Sequence, residues 1–293
     1  MAAVGHREHS LEPETSGSEE IARAVRLQST PTGQGWRMIE TVRLLRASLA
    51  ALVLGLHASV IAGEGHLVLV GGGPTPAEVF ERTLALSGGR HAIVAVLPQT
   101  FPNDTIGDAA VAMWRTLRAA DVIKVSRTDP ATARAALERA TLIWMPGGFP
   151  GHFMRTLAAT PLAEIIRERF VAGVTIGGAS AGAVAMSRTM LADDVAPDGT
   201  PLAGPATVDG LGLWPEAIVS PHFTERRRLA PLIPIVRDHP DLIGIGLDEG
   251  TAVIVFKGAF DVLGRGTVSI VDAGRPEVRR LRSGAHFRYR ADQ

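Results

Sequence analysis

Residues 174–186, reading Val-Thr-Ile-Gly-Gly-Ala-Ser-Ala-Gly-Ala-Val-Ala-Met, constrain this chain more than any other stretch. A short apolar run passes into small residues around one hydroxyl and then into an alanine-rich segment, the pattern of a buried strand, a tight turn and a helix start. Gly178-Ala179-Ser180-Ala181-Gly182 has the form of a nucleophile elbow. Small flanking residues let the chain bend sharply there, so the serine oxygen stands above the strand end and beside a helix N-terminus. Small residues also occur wherever a helix packs closely on a strand, so a catalytic reading needs partners from elsewhere in the chain.

The segments around the elbow set its context. Apolar runs at 67–70, 92–97, 122–125 and 142–145 read as buried strands, with helical spacing at 77–86, 107–118, 131–140 and 162–171 between them. Alternating strands and helices imply a mostly parallel sheet covered on both faces, a three-layer α/β/α fold. Past the elbow, 193–209 is rich in Pro, Gly, Asp and Ala and reads as a long loop. A short strand at 217–219 delivers His222, and 225–237 is expected to be helical. Strands at 243–247, 252–256, 261–263 and 268–271 have short connections containing glycine, so the sheet is expected to end in antiparallel strands.

The beginning of the chain has a different composition. Residues 1–37 are polar, with little apolar periodicity, and are expected to be a disordered leader outside any packed domain. Residues 38–62 run from Arg43 and Arg46 through an apolar stretch to Ala58, Ser59 and Ala62, the order of regions in a secretory signal peptide. Cleavage is expected after Ala62, where Val60 and Ala62 occupy the small-residue positions, and Met38 would then be the initiator. The rival reading is an amphipathic helix that packs on the domain or stays as an anchor. A single domain over 63–293 follows, exported to the periplasm or beyond the cell. Cysteine is absent, which removes disulfides, thiolate metal sites and cysteine nucleophiles. With 30 basic and 30 acidic residues, no net field recruits nucleic acid or an anionic membrane.

Three further places bear on chemistry. Gly71-Gly72-Gly73-Pro74 follows the first strand, but it lacks the spacing of a dinucleotide or phosphate loop and Pro74 removes an amide donor, so no cofactor is expected there. Gly147 and Gly148 follow the fourth strand. In a parallel sheet these turns share an edge with Ser180, where backbone amides of the second turn and of Ala181 could form an oxyanion hole. His222, at the end of a short apolar strand, would face that same edge. Asp248 and Glu249 close another strand, where charge calls for a partner. A serine needs a base to take its proton, and the base needs an acid to hold its tautomer. Strand alternation sends the two acids to opposite faces, so only one of them reaches His222, and the residues alone leave open which. No His or carboxylate pair has metal-ligand spacing, so no metal is expected.

Taken together these motifs resemble the cyanophycinase and aspartyl dipeptidase (dipeptidase E) serine peptidases, which have a class I glutamine amidotransferase-like, flavodoxin-like fold. The resemblance covers about 67–272 and rests on the first triple glycine, Pro-Gly-Gly at 146–148, Ile-Gly-Gly-Ala-Ser-Ala-Gly-Ala at 176–183, Gly-Leu-Gly-Leu at 210–213, His-Phe-x-x-Arg-x-Arg at 222–228 and Gly-Ile-Gly-Leu-Asp-Glu-Gly-Thr-Ala at 244–252. It implies Ser180 as nucleophile, His222 as base, Glu249 as the partner of the base, and Gly148 and Ala181 as oxyanion-hole donors. The chain departs from cyanophycinases at Phe149-Pro150, where those read Asp-Gln, and at Ser220-Pro221, where an Asp-Gln pair usually precedes the histidine. The changes fall on residues that read the substrate, which argues against cyanophycin itself.

The expected function is hydrolysis of peptide-like amides through an acyl-enzyme. Aspartyl, isoaspartyl or related acidic peptides are the favoured substrates, with Phe149, Arg226 and Arg228 as substrate-binding residues. The expected partner is a small peptide or peptide-like polymer, with no nucleic acid and no stable membrane association after cleavage, and a homodimer is the candidate assembly. The rival function is a catalytically inactive ligand-binding relative of the same fold.

Overall fold

A computed structural model of the chain describes residues 64–193, Asp198, Thr200 and residues 207–289, all within the unit Ile61–Gln293. The expected leader and signal peptide lie outside the described residues, as does most of the expected 193–209 loop. None of the described helices is long and apolar enough to cross a membrane.

The first half of the domain alternates strand and helix: β1 (Leu67–Val70), α1 (Ala77–Leu86), β2 (Ile93–Val96), α2 (Thr105–Thr116), β3 (Asp121–Lys124), α3 (Pro130–Arg139) and β4 (Leu142–Met145). Then come α4 (Pro150–Ala158), α5 (Leu162–Val171), β5 (Thr175–Ala179), the single turn α6 (Ala181–Val184), β6 (Thr189–Leu191) and β7 (Thr207–Asp209). The rest comprises β8 (Ala217–Pro221), α7 (Leu229–Asp238), β9 (Ile243–Leu247), β10 (Thr251–Phe256), β11 (Ala259–Gly264), β12 (Val268–Asp272), β13 (Arg275–Leu281) and β14 (His286–Arg288).

The main sheet has the order β14-β11-β10-β1-β5-β4-β2-β3. Its pairs from β1 to β3 are parallel, while β10, β11 and β14 run antiparallel on the other side. Alternation along each strand divides the core into two layers. Leu67, Leu69, Ile143, Met145 and Ile176 point to one face, where α3, α4 and α5 cover them with Leu137, Phe153 and Ile165. Val68, Val70, Val94, Val96 and Trp144 point to the other, under Val79 of α1 and Trp114 of α2. Burial on both faces explains why these strands read as unbroken apolar runs. The three-layer α/β/α expectation agrees with this architecture.

Some elements differ from expectation. The C-terminal strands do not all join one sheet: β8, β9, β12 and β13 form a second, four-stranded sheet whose outer face packs on α7 through Ile218, Leu232, Val236 and Val271. The helix expected at 225–237 begins only at Leu229. Arg227 takes φ 52°, which breaks helical geometry, and Pro231 can donate no helical hydrogen bond to that residue, so it suits only the first turn. A helix not expected from the sequence follows the Gly147-Gly148 turn at Pro150–Ala158, with Pro150 as its first residue, where the missing N–H costs nothing.

Candidate active site

Three parallel strand ends stand side by side. Val70 is level with Ala179, and Gly178 with Met145, so the turns after β1, β4 and β5 emerge on one edge. Ser180 sits at the last of these turns with φ 51° and ψ −110°, a sparsely populated conformation for a residue with a side chain. Close packing forces the bend: a Cβ on Gly182 would lie 1.9 Å from the Met145 carbonyl oxygen, so α6 can start flush against β4 only with glycine there.

His222 and Glu249 come from the second sheet. Pro221 and Leu247 are paired in its parallel β8–β9 ladder, so the residues that follow them leave the sheet together. Backbone hydrogen bonds stitch this edge to the first sheet: the His222 amide donates to Gly71 at 2.9 Å and the Gly250 amide to Gly72 at 2.9 Å. The triple glycine makes the approach possible. A Cβ on Gly72 would lie 2.4 Å from the His222 ring, and one on Gly73 would lie 2.3 Å from the Glu249 carboxylate. Both glycines also have positive φ, 100° and 63°. This turn, considered above for a phosphate, is occupied by an imidazole and a carboxylate, and the carboxylate's charge would repel one.

The side chains form a continuous hydrogen-bonded line. Ser180 Oγ lies 2.9 Å from His222 Nε2, and His222 Nδ1 lies 2.6 Å from Glu249 Oε1. His222 is 8% exposed. Burial holds its pKa below the ordinary 6.5, against the opposing effect of its hydrogen bond to Glu249 and assisted by the nearby charges of Arg226 and Arg228. The lowered pKa favours the neutral ring at neutral pH, in which Nδ1–H donates to Glu249 and Nε2 can accept a proton from the serine.

Asp248, the rival acid, has a different task. Its Oδ1 accepts from the Thr224 amide at 3.1 Å and from the Thr224 hydroxyl at 2.6 Å, while Oδ2 accepts from the Thr267 amide at 3.0 Å. It thereby ties the turn after His222 to the turn that carries Glu249. Gly148 and Ala181 line a cleft of about 300 Å3 beside Ser180, together with Phe149, Asp193, Arg226 and Arg228. Ala181 is the first residue of its helix, so its amide has no acceptor within it. The Phe149 amide is taken by the Thr100 carbonyl at 2.9 Å, and its ring stacks on Phe101 at 5.4 Å between centroids. Arg127 fastens the loop bearing Thr100 and Phe101 by donating to the carbonyls of Pro98, Phe101 and Asn103.

Gly148, Phe149, Ala181, His222, Arg226 and Arg228 thus border one cleft with Ser180, while Glu249 is linked to Ser180 through His222 and Asp248 is not part of that line. Sequence reasoning missed Asp193, whose Oδ1 accepts from the Gly151 amide at 3.1 Å, and Arg127, whose role depends on a loop contact 26 residues away in sequence. Neither residue belongs to a motif. It also missed a second, mainly apolar pocket that adjoins the cleft at Gly148, Ser180 and His222.

The pattern of peptidase family S51 matches residues 67–263. A cyanophycinase from Geminocystis herdmanii is 36% identical over 203 residues, covering 67% of this chain and 75% of that protein. A cyanophycinase from Trichormus variabilis is 35% identical over 206 residues, covering 67% and 68%. Among solved structures, a peptidase from an acI-B1 Actinobacterium superposes with a TM-score of 0.58 at 23% identity, covering 78% of this chain and 98% of that one, which speaks to the fold. The family pattern spans the strand ends that carry Ser180, His222 and Glu249, and on that match the chain belongs to peptidase family S51 and is a peptidase.

Proposed function

We propose that Ser180, His222 and Glu249 act as a catalytic triad on peptide-like amides. The two consecutive hydrogen bonds from Ser180 through His222 to Glu249, 2.9 and 2.6 Å, are the observation that carries this reading. Ser180 Oγ attacks the carbonyl carbon as its proton passes to His222 Nε2, and Glu249 stabilises the resulting imidazolium. The carbonyl oxygen gains negative charge, which the Gly148 and Ala181 amides receive. Collapse of the tetrahedral adduct breaks the C–N bond, and the leaving nitrogen takes the proton from His222. Water then attacks the acyl-enzyme by the same relay and frees the acid.

Acidic peptides, aspartyl or isoaspartyl, are the proposed substrates. Two guanidinium groups, Arg226 and Arg228, line the cleft beside Ser180 and suit a carboxylate. The active form is proposed to be exported after cleavage at Ala62. N-terminal sequencing of the exported protein should then begin at Gly63, and an intact Met1 would overturn that part.

Amine release from an aspartyl dipeptide, its isoaspartyl isomer and cyanophycin tests the chemistry. Wild type is expected to hydrolyse at least one acidic dipeptide, with Ser180→Ala slower by about 1,000-fold or more. Activity that survives in Ser180→Ala would remove the serine from the mechanism.

A further inference from the structure

Ser180 and His222 border two cavities, and only one contains charged side chains. One is the cleft with Arg226, Arg228 and Asp193. Adjoining it is a pocket of about 410 Å3, whose lining includes Phe80, Ile106, Met113, Trp144 and Pro146, with Thr75, Ser180, His222 and the Trp144 indole N–H as its polar side-chain groups. We propose that this second pocket is a substrate subsite for a large apolar side chain, so that the enzyme prefers peptides joining an acidic residue to a leucine- or phenylalanine-like one. The inference rests on the hydrolase reading above and adds the identity of the residue across the scissile bond.

Three observations carry it. First, the pocket shares Gly148, Ser180 and His222 with the charged cleft, so a chain laid over Ser180 with one side chain in the cleft reaches the pocket with the next. Second, its wall is one face of a helix: Ile106, Ala109, Ala110 and Met113 follow the i, i+3, i+4, i+7 spacing on α2. The floor is rigid. Trp144 packs edge-on against Trp114 at 5.1 Å and Phe80 at 5.8 Å between ring centroids, and a Cβ on Gly177 would lie 2.7 Å from the Trp144 ring. A preformed apolar cavity with a few polar groups at its mouth is the usual form of a side-chain subsite. Third, no lining residue carries a charge, so an arginine or glutamate side chain entering would lose its hydration without gaining an ion pair, whereas an apolar one gains from leaving water.

The test pairs hydrolysis with binding. Dipeptides joining aspartate to Leu, Phe, Arg or Glu are assayed in both orders, using the full chain. In the order that turns over, Leu and Phe are expected to exceed Arg and Glu in kcat/KM by about 10- to 100-fold. Ile106→Glu, on the half-buried wall, is expected to erase that preference and raise turnover of the arginine member relative to the leucine member. Separately, calorimetry measures binding of N-acetyl-phenylalanine amide and N-acetyl-arginine amide to Ser180→Ala, with tighter binding of the first expected and its loss in the Ser180→Ala, Ile106→Glu double variant. Equal affinity for the two amides, or hydrolysis that favours Arg or Glu, overturns the subsite. Selective apolar binding without hydrolysis of any member overturns the peptidase reading of Ser180 and leaves the subsite standing.

Discussion

As the proposed base, His222 can act only while its ring is neutral, and its pKa is depressed chiefly by burial. On that reading kcat/KM is at its plateau well above a midpoint that lies below 6.5 and falls about tenfold per unit once pH drops through it. A pH–rate profile checks this, and a midpoint above 6.5 would assign the titration to another group. Glu249→Gln removes the influence that raises the His222 pKa, so its midpoint should move further down while the plateau falls by about 100- to 10,000-fold. Gly72 offers a test without touching the triad. Gly72→Ala puts a methyl group into the His222 ring and forces a side chain into φ 100°. Turnover should drop nearly to the level of Ser180→Ala, with about 1–2 kcal/mol of lost stability in a denaturant melt.

At the level of elements, Asp248 is the fastener between the turns after β8 and β9. It is 7% exposed and accepts three hydrogen bonds. Asp248→Asn turns one acceptor into a donor facing another donor and is expected to cost about 1–3 kcal/mol, seen as a lower melting temperature. The strands of the first sheet were legible because burial on both faces leaves continuous apolar runs such as 67–70 and 142–145. The start of α7 was not, since the positive φ of Arg227 has no signature in its neighbours. Ser180 and His222 were readable as strand-end residues. The choice between Asp248 and Glu249 came from the resemblance and not from the residues themselves, because two adjacent acids differ only in direction and the second sheet supplies that direction. The apolar pocket stayed hidden for a similar reason. Its residues come from α1, α2 and the end of β4, and each alone reads as ordinary core.

At the scale of the molecule, both core layers and the cluster under α7 are built, among the described residues, from positions between 67 and 289. On the proposed export, a chain beginning at Gly63 is expected to carry the turnover, which the amine-release assay checks. Ser180 follows a strand of one sheet, whereas His222 and Glu249 follow strands of another, joined to it by the bonds to Gly71 and Gly72. During synthesis Ser180 emerges from the ribosome well before His222 and Glu249. On the proposed mechanism the nascent chain carries an inert alcohol until its last third has been made and docked, so hydrolytic power arrives only with completed folding and cannot be turned on the unfinished chain itself.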